Sequence, residues 1–299
     1  MGNKYFLTFH TVFILNENIK WLEEFLIYYI NIIGVEHFYL YDNDKSTGGD
    51  GTKETNKYGF KINTDNNNND IKQFEDIKQR YSSYITHIKW QPLDDKGNVI
   101  YGQNESILDF IKNYGNDSVW TCFLDLDEFI YSRYLYLPNY LKELNNNISC
   151  IKICQKKFID RFLSNQKFIT QDTNCIDKNI GFEWAPKNIV KNEDFININN
   201  IHEIIVKHNI KYESSDNIRF NHYNTNPKLL TWMKSFYGSI LDYKLNSYDD
   251  GMLKYSYLVN IESFDNNNNN NNYLLYIFVF LIIIYFIYYI QLPQKNYLY

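Results

Sequence analysis

Short apolar runs alternate with helix-patterned segments through the first half of this chain, and that alternation restricts the fold more than any other feature. Residues 5–15, 35–41, 84–90 and 119–124 are rich in aromatic and β-branched side chains. Runs of that length and type suit strands buried on both faces. Between the first two, Asn18 can cap a helix whose apolar positions Trp21, Leu22, Phe25, Leu26, Tyr29 and Ile33 recur three and four residues apart, and Gly34 can stop it. A short helix is expected near residues 53–58, and another over 105–113 with Ile107, Leu108 and Ile111 turned inward. Repeated strand–helix–strand units imply a mostly parallel sheet with right-handed crossovers. The fold class expected is therefore α/β: Rossmann-like, with helices on both faces of the sheet. The second half is less regular, with strands expected at 148–154, 201–207 and 218–223 and a helix opened by Pro227 that runs to about residue 241.

The run 119–124 leads straight into Asp125-Leu126-Asp127-Glu128-Phe129. A buried parallel strand would thus deliver two carboxylates, two residues apart, at its C-terminal end, where open α/β sheets bind ligands. Hard oxygen ligands in that place suit Mg²⁺ or Mn²⁺, which take one or two carboxylates and complete their shell with substrate phosphates. A bare pair of this kind can also be a solvated acidic turn.

Composition narrows the function classes. The net charge is −5, and the basic residues are scattered, so no polybasic face argues for nucleic acid. Four cysteines in 299 residues are too few for a disulfide scaffold. Cys150 and Cys154 have no second Cys or His pair to complete a zinc site, so all four are read as reduced. Three asparagine runs punctuate the chain. Those at 66–69 and 145–147 read as loop insertions, and the one at 266–272 as a flexible linker.

Residues 273–292 contain no charged side chain and one strongly polar one, Gln291. Twenty helical residues span about 30 Å, the hydrocarbon thickness of a bilayer. The domain plan expected is a catalytic domain over 1–255, an Asn-rich linker over 256–272, a transmembrane helix over 273–292 and a short tail over 293–299. The N-terminus shows no secretory signal, so a single-pass C-terminal anchor with a cytosolic catalytic domain is expected. Lys295 after the segment argues weakly for the opposite orientation.

Several segments together resemble a known family. They are Asn16-Glu17, Trp21-Leu22-Glu23-Glu24-Phe25, Gly34-Val35-Glu36-His37-Phe38-Tyr39, Tyr41-Asp42-Asn43, Gly102-Gln103, Asp125-Leu126-Asp127-Glu128-Phe129 and Asn221-His222-Tyr223. In that order they resemble the glycosyltransferases of family 92 and the related family 2-like group with a GT-A fold, over residues 8–245. The resemblance implies transfer of a hexosyl group from a nucleotide-sugar donor, UDP-linked by expectation and inverting, to a glycan, glycoprotein or glycolipid hydroxyl, with Mn²⁺ or Mg²⁺ as cofactor. It places Asp125 near the donor ribose or sugar and Asp127 on the metal, with Asp125 a further ligand. His222 becomes a third metal or diphosphate ligand; a histidine at a strand end is otherwise more often structural, and His202 is a weaker candidate. Asn16, Glu17, Asp42, Asn43 and Gln103 are assigned to the nucleotide. Helix capping by Asn16 or Asn18 and an Asx turn at Asp42-Asn43 are the competing readings. Glu128 either meets the sugar or caps the loop. For the general base, Glu183 between Phe182 and Trp184 is the most suggestive carboxylate, because aromatic neighbours can stack on a sugar face. Members of this type usually carry an N-terminal anchor, and here the apolar segment lies at the other end.

Two further readings are open. A nucleotidyltransferase or phosphohydrolase could use the same carboxylates, although no Gly-rich phosphate loop with a lysine is present. A non-catalytic GT-A-like binding protein on a membrane is the third.

Overall fold

The computed structural model describes residues 4–43, 68–97, 99–134, 136–158, 167–175, 182, 185–223 and 247–256, without the side chains of Asn16, Glu17, Asn174 and Ser247. All of these belong to one unit, Met1–Ser256. The expected helices near 53–58 and at 227–241, and the linker, span and tail of residues 257–299, lie outside the described residues. Among the described residues no helix is long and apolar enough to cross a membrane.

Strand β1 (Tyr5–Phe13) leads into helix α1 (Leu15–Tyr28), whose last turn widens to a π-helix at Tyr29–Ile33. Gly34 closes it in the left-handed region at φ 88, and its N–H donates to the Tyr29 carbonyl. A side chain at this position would also overlap the Tyr136 ring. The stop expected at Gly34 is therefore needed twice, for backbone conformation and for space. The helix starts three residues before Asn18. The Asn18 side-chain Oδ1 accepts the Ile14 N–H at 3.2 Å, so it ties down the helix entry from inside the first turn.

The chain continues through β2 (His37–Asp42), α2 (Asn68–Arg80), β3 (Ile85–Lys89), α3 (Gln103–Tyr114) and β4 (Ser118–Phe123). Helix α2 corrects the reading of residues 66–69 as a loop, since Asn68 and Asn69 form its first turn. Its apolar positions Ile71, Phe74 and Ile77 recur every three residues, and Phe74 and Ile77 are buried. Asp70 in its first turn and Lys78 and Arg80 in its last complement the helix dipole. In α3 the buried stripe is Ser106, Ile107 and Phe110, whereas Leu108 is exposed, because it lies about 100° round the helix from Ile107.

Beyond β4 come β5 (Glu128–Ser132), α4 (Leu137–Lys142), β6 (Ile148–Ile153), β7 (Gln155–Phe158), β8 (Asn174–Cys175) and β9 (Lys187–Lys191). The last strands are β10 (Phe195–Asn200), β11 (Glu203–Val206), β12 (Asn209–Tyr212), β13 (Ile218–Tyr223) and β14 (Ser247–Tyr248). Seven of them make the main sheet in the order β12-β6-β9-β4-β1-β2-β3. β4, β1, β2 and β3 run parallel, as do β12 and β6, while β9 is antiparallel to both its neighbours. The second sheet, β14-β8-β7-β13-β5, is largely antiparallel, and β10 and β11 form a separate ribbon. This is a mixed α/β fold with a mostly parallel central sheet, as the strand–helix alternation leads one to expect.

Period-two alternation along β1 divides the core. Phe9 packs on Phe25 and Tyr29 of α1, and Phe13 on Phe74 of α2. On the opposite face His10 packs on Tyr41, Phe110 and Phe123, and Val12 joins Ile107 and Phe110 of α3 in one cluster. After β1 the chain builds outward to β2 and β3, then returns to place β4 on the other side of β1. That reversal opens a crevice at the C-terminal ends of β1 and β4, the position where such sheets take ligands.

Candidate active site

Asp125 stands at that crevice, two residues beyond the end of β4. Its Oδ1 accepts a hydrogen bond from Gln103 Nε2 at 3.0 Å, and its Oδ2 accepts one from Lys187 Nζ at 2.7 Å. Lys187 Nζ also lies 3.0 Å from Glu128 Oε2. Glu128 in turn accepts the Asp125 N–H at 2.8 Å and donates its own N–H to the Asp125 carbonyl at 3.1 Å. The acidic turn is thus closed on itself and pinned by one lysine that is almost wholly buried.

Burial opposes the charge on all three groups, and the outcome differs between them. Burial alone would raise the Asp125 pKa, but the Lys187 ammonium holds it below the usual carboxylate range. Burial pushes the Glu128 carboxyl up to about 7, against the pull of Lys187 and with the help of the Asp125 charge. Burial works against the Lys187 charge too, yet Asp125 and Glu128 keep its pKa above the ordinary value. Two neighbouring carboxyls with pKa values driven apart can occupy different protonation states at neutral pH.

Asp127 faces the other way. Its Oδ2 lies 3.3 Å from His222 Nε2, and both side chains are about one-fifth exposed. His222 sits on β13, opposite Glu128 of β5 and next to Lys157 of β7 in register. Burial disfavours a charged His222, but Asp127 and then Glu128 outweigh it and raise the pKa. The turn is braced from behind by α1: Tyr29 Oη donates to the Glu128 carbonyl at 2.7 Å and accepts the Ile130 N–H at 3.0 Å. Leu126 and Phe129 are buried and anchor the motif, while Asp125 reaches the crevice and Asp127 turns toward β13.

Gln103 is positioned by an unusual helix start. Gly102 caps α3 in the left-handed region at φ 62, and a side chain there would overlap the Pro92 ring. Its carbonyl accepts Trp90 Nε1–H at 3.2 Å. Asn43 holds the segment just before it, donating from Nδ2 to the carbonyls of Ile100 and Tyr101, both at 3.0 Å. Asp42 accepts from His87 Nε2 at 2.9 Å and Lys89 Nζ at 2.6 Å through Oδ2, and both Asp42 and Asn43 are buried. Burial would raise the Asp42 pKa, and these two partners lower it instead. Asn43 thereby holds the segment that leads into Gln103, and Asp42 ties the end of β2 to β3.

The structure therefore brings Gln103, Asp125, Asp127, Glu128 and His222 together around one turn. Asn16 and Glu17 lie in the first turn of α1, and their side chains lie outside the described residues, as does Glu183. His202 bonds through Nδ1 to the Pro186 carbonyl at 3.0 Å, and burial lowers its pKa to about 4. Among the described residues no three His, Cys, Asp or Glu side chains converge as a metal site.

No protein-family description matches this chain, and no curated protein does. Among solved structures it is similar to 4-diphosphocytidyl-2C-methyl-D-erythritol synthase from Anaerococcus prevotii. The likeness has a TM-score of 0.36 at 9% identity and covers 79% of this chain and 100% of that one.

Two site residues escaped the sequence reading: Lys187 and Lys157. Lys187 follows Ala185, which takes a positive φ of 46, and Pro186. No spacing in the sequence links it to Asp125, 62 residues earlier, because an antiparallel strand brings it there. Lys157 reaches the site only through pairing of β7 with β13.

Proposed function

We propose that the chain is a metal-dependent glycosyltransferase that uses a nucleotide-sugar donor. The observation that carries this reading is the Asp127–His222 pair, standing beside a lysine-pinned Asp125 at the crevice between β1 and β4. Two cis ligands of an octahedral ion with bonds of 2.0–2.1 Å are about 3 Å apart. The 3.3 Å between Asp127 Oδ2 and His222 Nε2 fits that spacing. An O,N pair also suits Mn²⁺. Asp127 and His222 would hold the ion, and a bound Mn²⁺ or Mg²⁺ would neutralise the charge that develops on the departing diphosphate.

The other residues have distinct tasks in this reading. Asp125, with its charge fixed by Lys187 and its orientation by Gln103, offers acceptor oxygens to donor hydroxyls. Glu128 holds the turn rather than the sugar, because it is buried and bonded to the Asp125 backbone. Burial lowers the Lys157 pKa while Glu128 and Asp127 favour its charge, and that charge would counter the acidity of the turn when diphosphate enters. Glu183 is the candidate general base on its sequence context. The motif resemblance to family 92 supports the assignment, and residues 273–292 support a C-terminal membrane anchor. All four cysteines are buried and free, which is consistent with a catalytic domain in a reducing compartment.

The test is a screen of UDP- and GDP-linked sugars for Mn²⁺-dependent hydrolysis, which requires no acceptor. Full activity in EDTA would end the metal assignment. Pyrophosphate release from a nucleoside triphosphate, with no hydrolysis of any nucleotide sugar, would favour nucleotidyl transfer instead.

A further inference from the structure

At the crevice between β1 and β4 lies a cavity of about 20 Å³, whose walls include His10, Gln103, Phe123, Asp125 and Lys187. That volume admits a single water molecule or hydroxyl group. Most polar side chains on its wall are already committed. Gln103 and Lys187 bond to Asp125, and Ser106 Oγ donates to the Gln103 carbonyl at 2.8 Å. His10 differs. Its side chain is 3% exposed; the ring interacts with the backbone of Ser106 and of His10 itself, but its Nε2 has no hydrogen bond of good geometry. Of the buried polar atoms without a partner among the described residues, it is the one on the wall of this cavity.

An orphaned buried nitrogen costs about 1–3 kcal/mol. Phenylalanine would occupy the same slot without that cost, since the His10 ring packs among Tyr41, Phe110 and Phe123 at centroid distances of 4.8–5.5 Å. A buried polar group that disobeys the packing logic at the site where the fold takes ligands points to a use for it. We infer that His10 Nε2 is a ligand-binding group that anchors one alcohol hydroxyl of the nucleotide sugar at the floor of the crevice. The inference rests on the function proposed above.

The chemistry selects a hydroxyl over other groups. A neutral imidazole offers one donor and one acceptor, and a hydroxyl can answer either. Burial drives the His10 pKa down to about 3, so the ring carries no charge to attract phosphate. The Asp125 carboxylate on the same wall disfavours a phosphate beside His10. The hydroxyl could come from the ribose or from the transferred sugar.

The experiment uses the full chain and the variants His10→Phe and His10→Gln. It measures melting temperature, Mn²⁺ affinity, and the affinity for UDP, GDP and a panel of UDP- and GDP-hexoses. The expected result for His10→Phe is an unchanged or higher melting temperature, unchanged Mn²⁺ affinity and roughly tenfold weaker nucleotide-sugar binding, the worth of about one hydrogen bond. His10→Gln should recover part of that loss. An equal loss for the bare diphosphate assigns the ribose hydroxyl, and a loss confined to the nucleotide sugar assigns the sugar hydroxyl. Wild-type affinity in His10→Phe would overturn the inference and leave the proposed function standing. A lower melting temperature with binding lost equally in both variants would make His10 structural and overturn it as well. Failure of the wild-type chain to bind any member of the panel would remove the proposed function itself, and this inference with it.

Discussion

Lys187 Nζ and Asp125 Oδ2 are 2.7 Å apart, and the lysine is 4% exposed while the aspartate is 30% exposed. The buried partner is the cation, so the pair presents a carboxylate to the crevice with its counter-charge hidden beneath it. Lys187→Met leaves two carboxyls without their cation in a buried turn. It should cost about 3–5 kcal/mol of stability, the usual result of removing one member of a buried pair. Urea unfolding of the variant measures this, and adding Glu128→Gln should restore part of the loss.

Asp127→Asn should separate activity from stability. The side chain is one-fifth exposed and its ion-pair partner among the described residues is His222, so the unfolding free energy should change by less than about 1 kcal/mol. Metal-dependent turnover of a nucleotide sugar should fall by roughly a hundredfold or more. Unchanged turnover in a folded variant would remove Asp127 from the mechanism.

For His222→Ala, the Mn²⁺ concentration giving half-maximal rate should rise by about tenfold or more, with the melting temperature nearly unchanged. The reverse pattern, a lower melting temperature and the same metal response, would mark the histidine as a packing residue opposite Glu128.

Glu24 provides a pH prediction remote from the crevice. It is buried and accepts hydrogen bonds from Ile169 N–H at 2.7 Å, Thr170 N–H at 3.0 Å and Thr170 Oγ1 at 2.6 Å. Burial raises its pKa from an ordinary 4.5 to about 7 despite those donors. The folded state then binds more protons than the unfolded state between those values. Stability should therefore fall as pH rises from about 4.5 to about 7, by up to about 3 kcal/mol in all. Glu24→Gln should flatten that slope, while lowering stability uniformly because its amide N–H₂ opposes a backbone donor. Denaturant titrations across the pH range give the slope directly.

Gly34→Ala should destabilise through two separate terms. The left-handed backbone costs a side chain about 1–2 kcal/mol, and overlap with Tyr136 adds to it. Pairing Gly34→Ala with Tyr136→Ala should remove the second term only, which thermal melts of the single and double variants can resolve.

Local chemistry was enough to foretell the first half of the fold. The strands at β1 to β4 and the stripe Trp21, Leu22, Phe25, Leu26, Tyr29 and Ile33 were legible because a strand buried on both faces and an amphipathic helix each write their burial into a few consecutive residues. The acidic turn was legible for the same reason, since Asp125 and Asp127 directly follow the apolar run that carries them. Tertiary structure alone decided what those carboxylates face. Lys187 meets Asp125 through an antiparallel strand that enters the sheet between β4 and β6, and His222 meets Asp127 through pairing of β13 with β5. His10 lies in a strand that any reading would fill with core residues, and only the position of the crevice shows that its Nε2 was left without a partner. Contacts within one element follow from spacing along the chain, whereas contacts between elements depend on strand order and register, which no local pattern encodes.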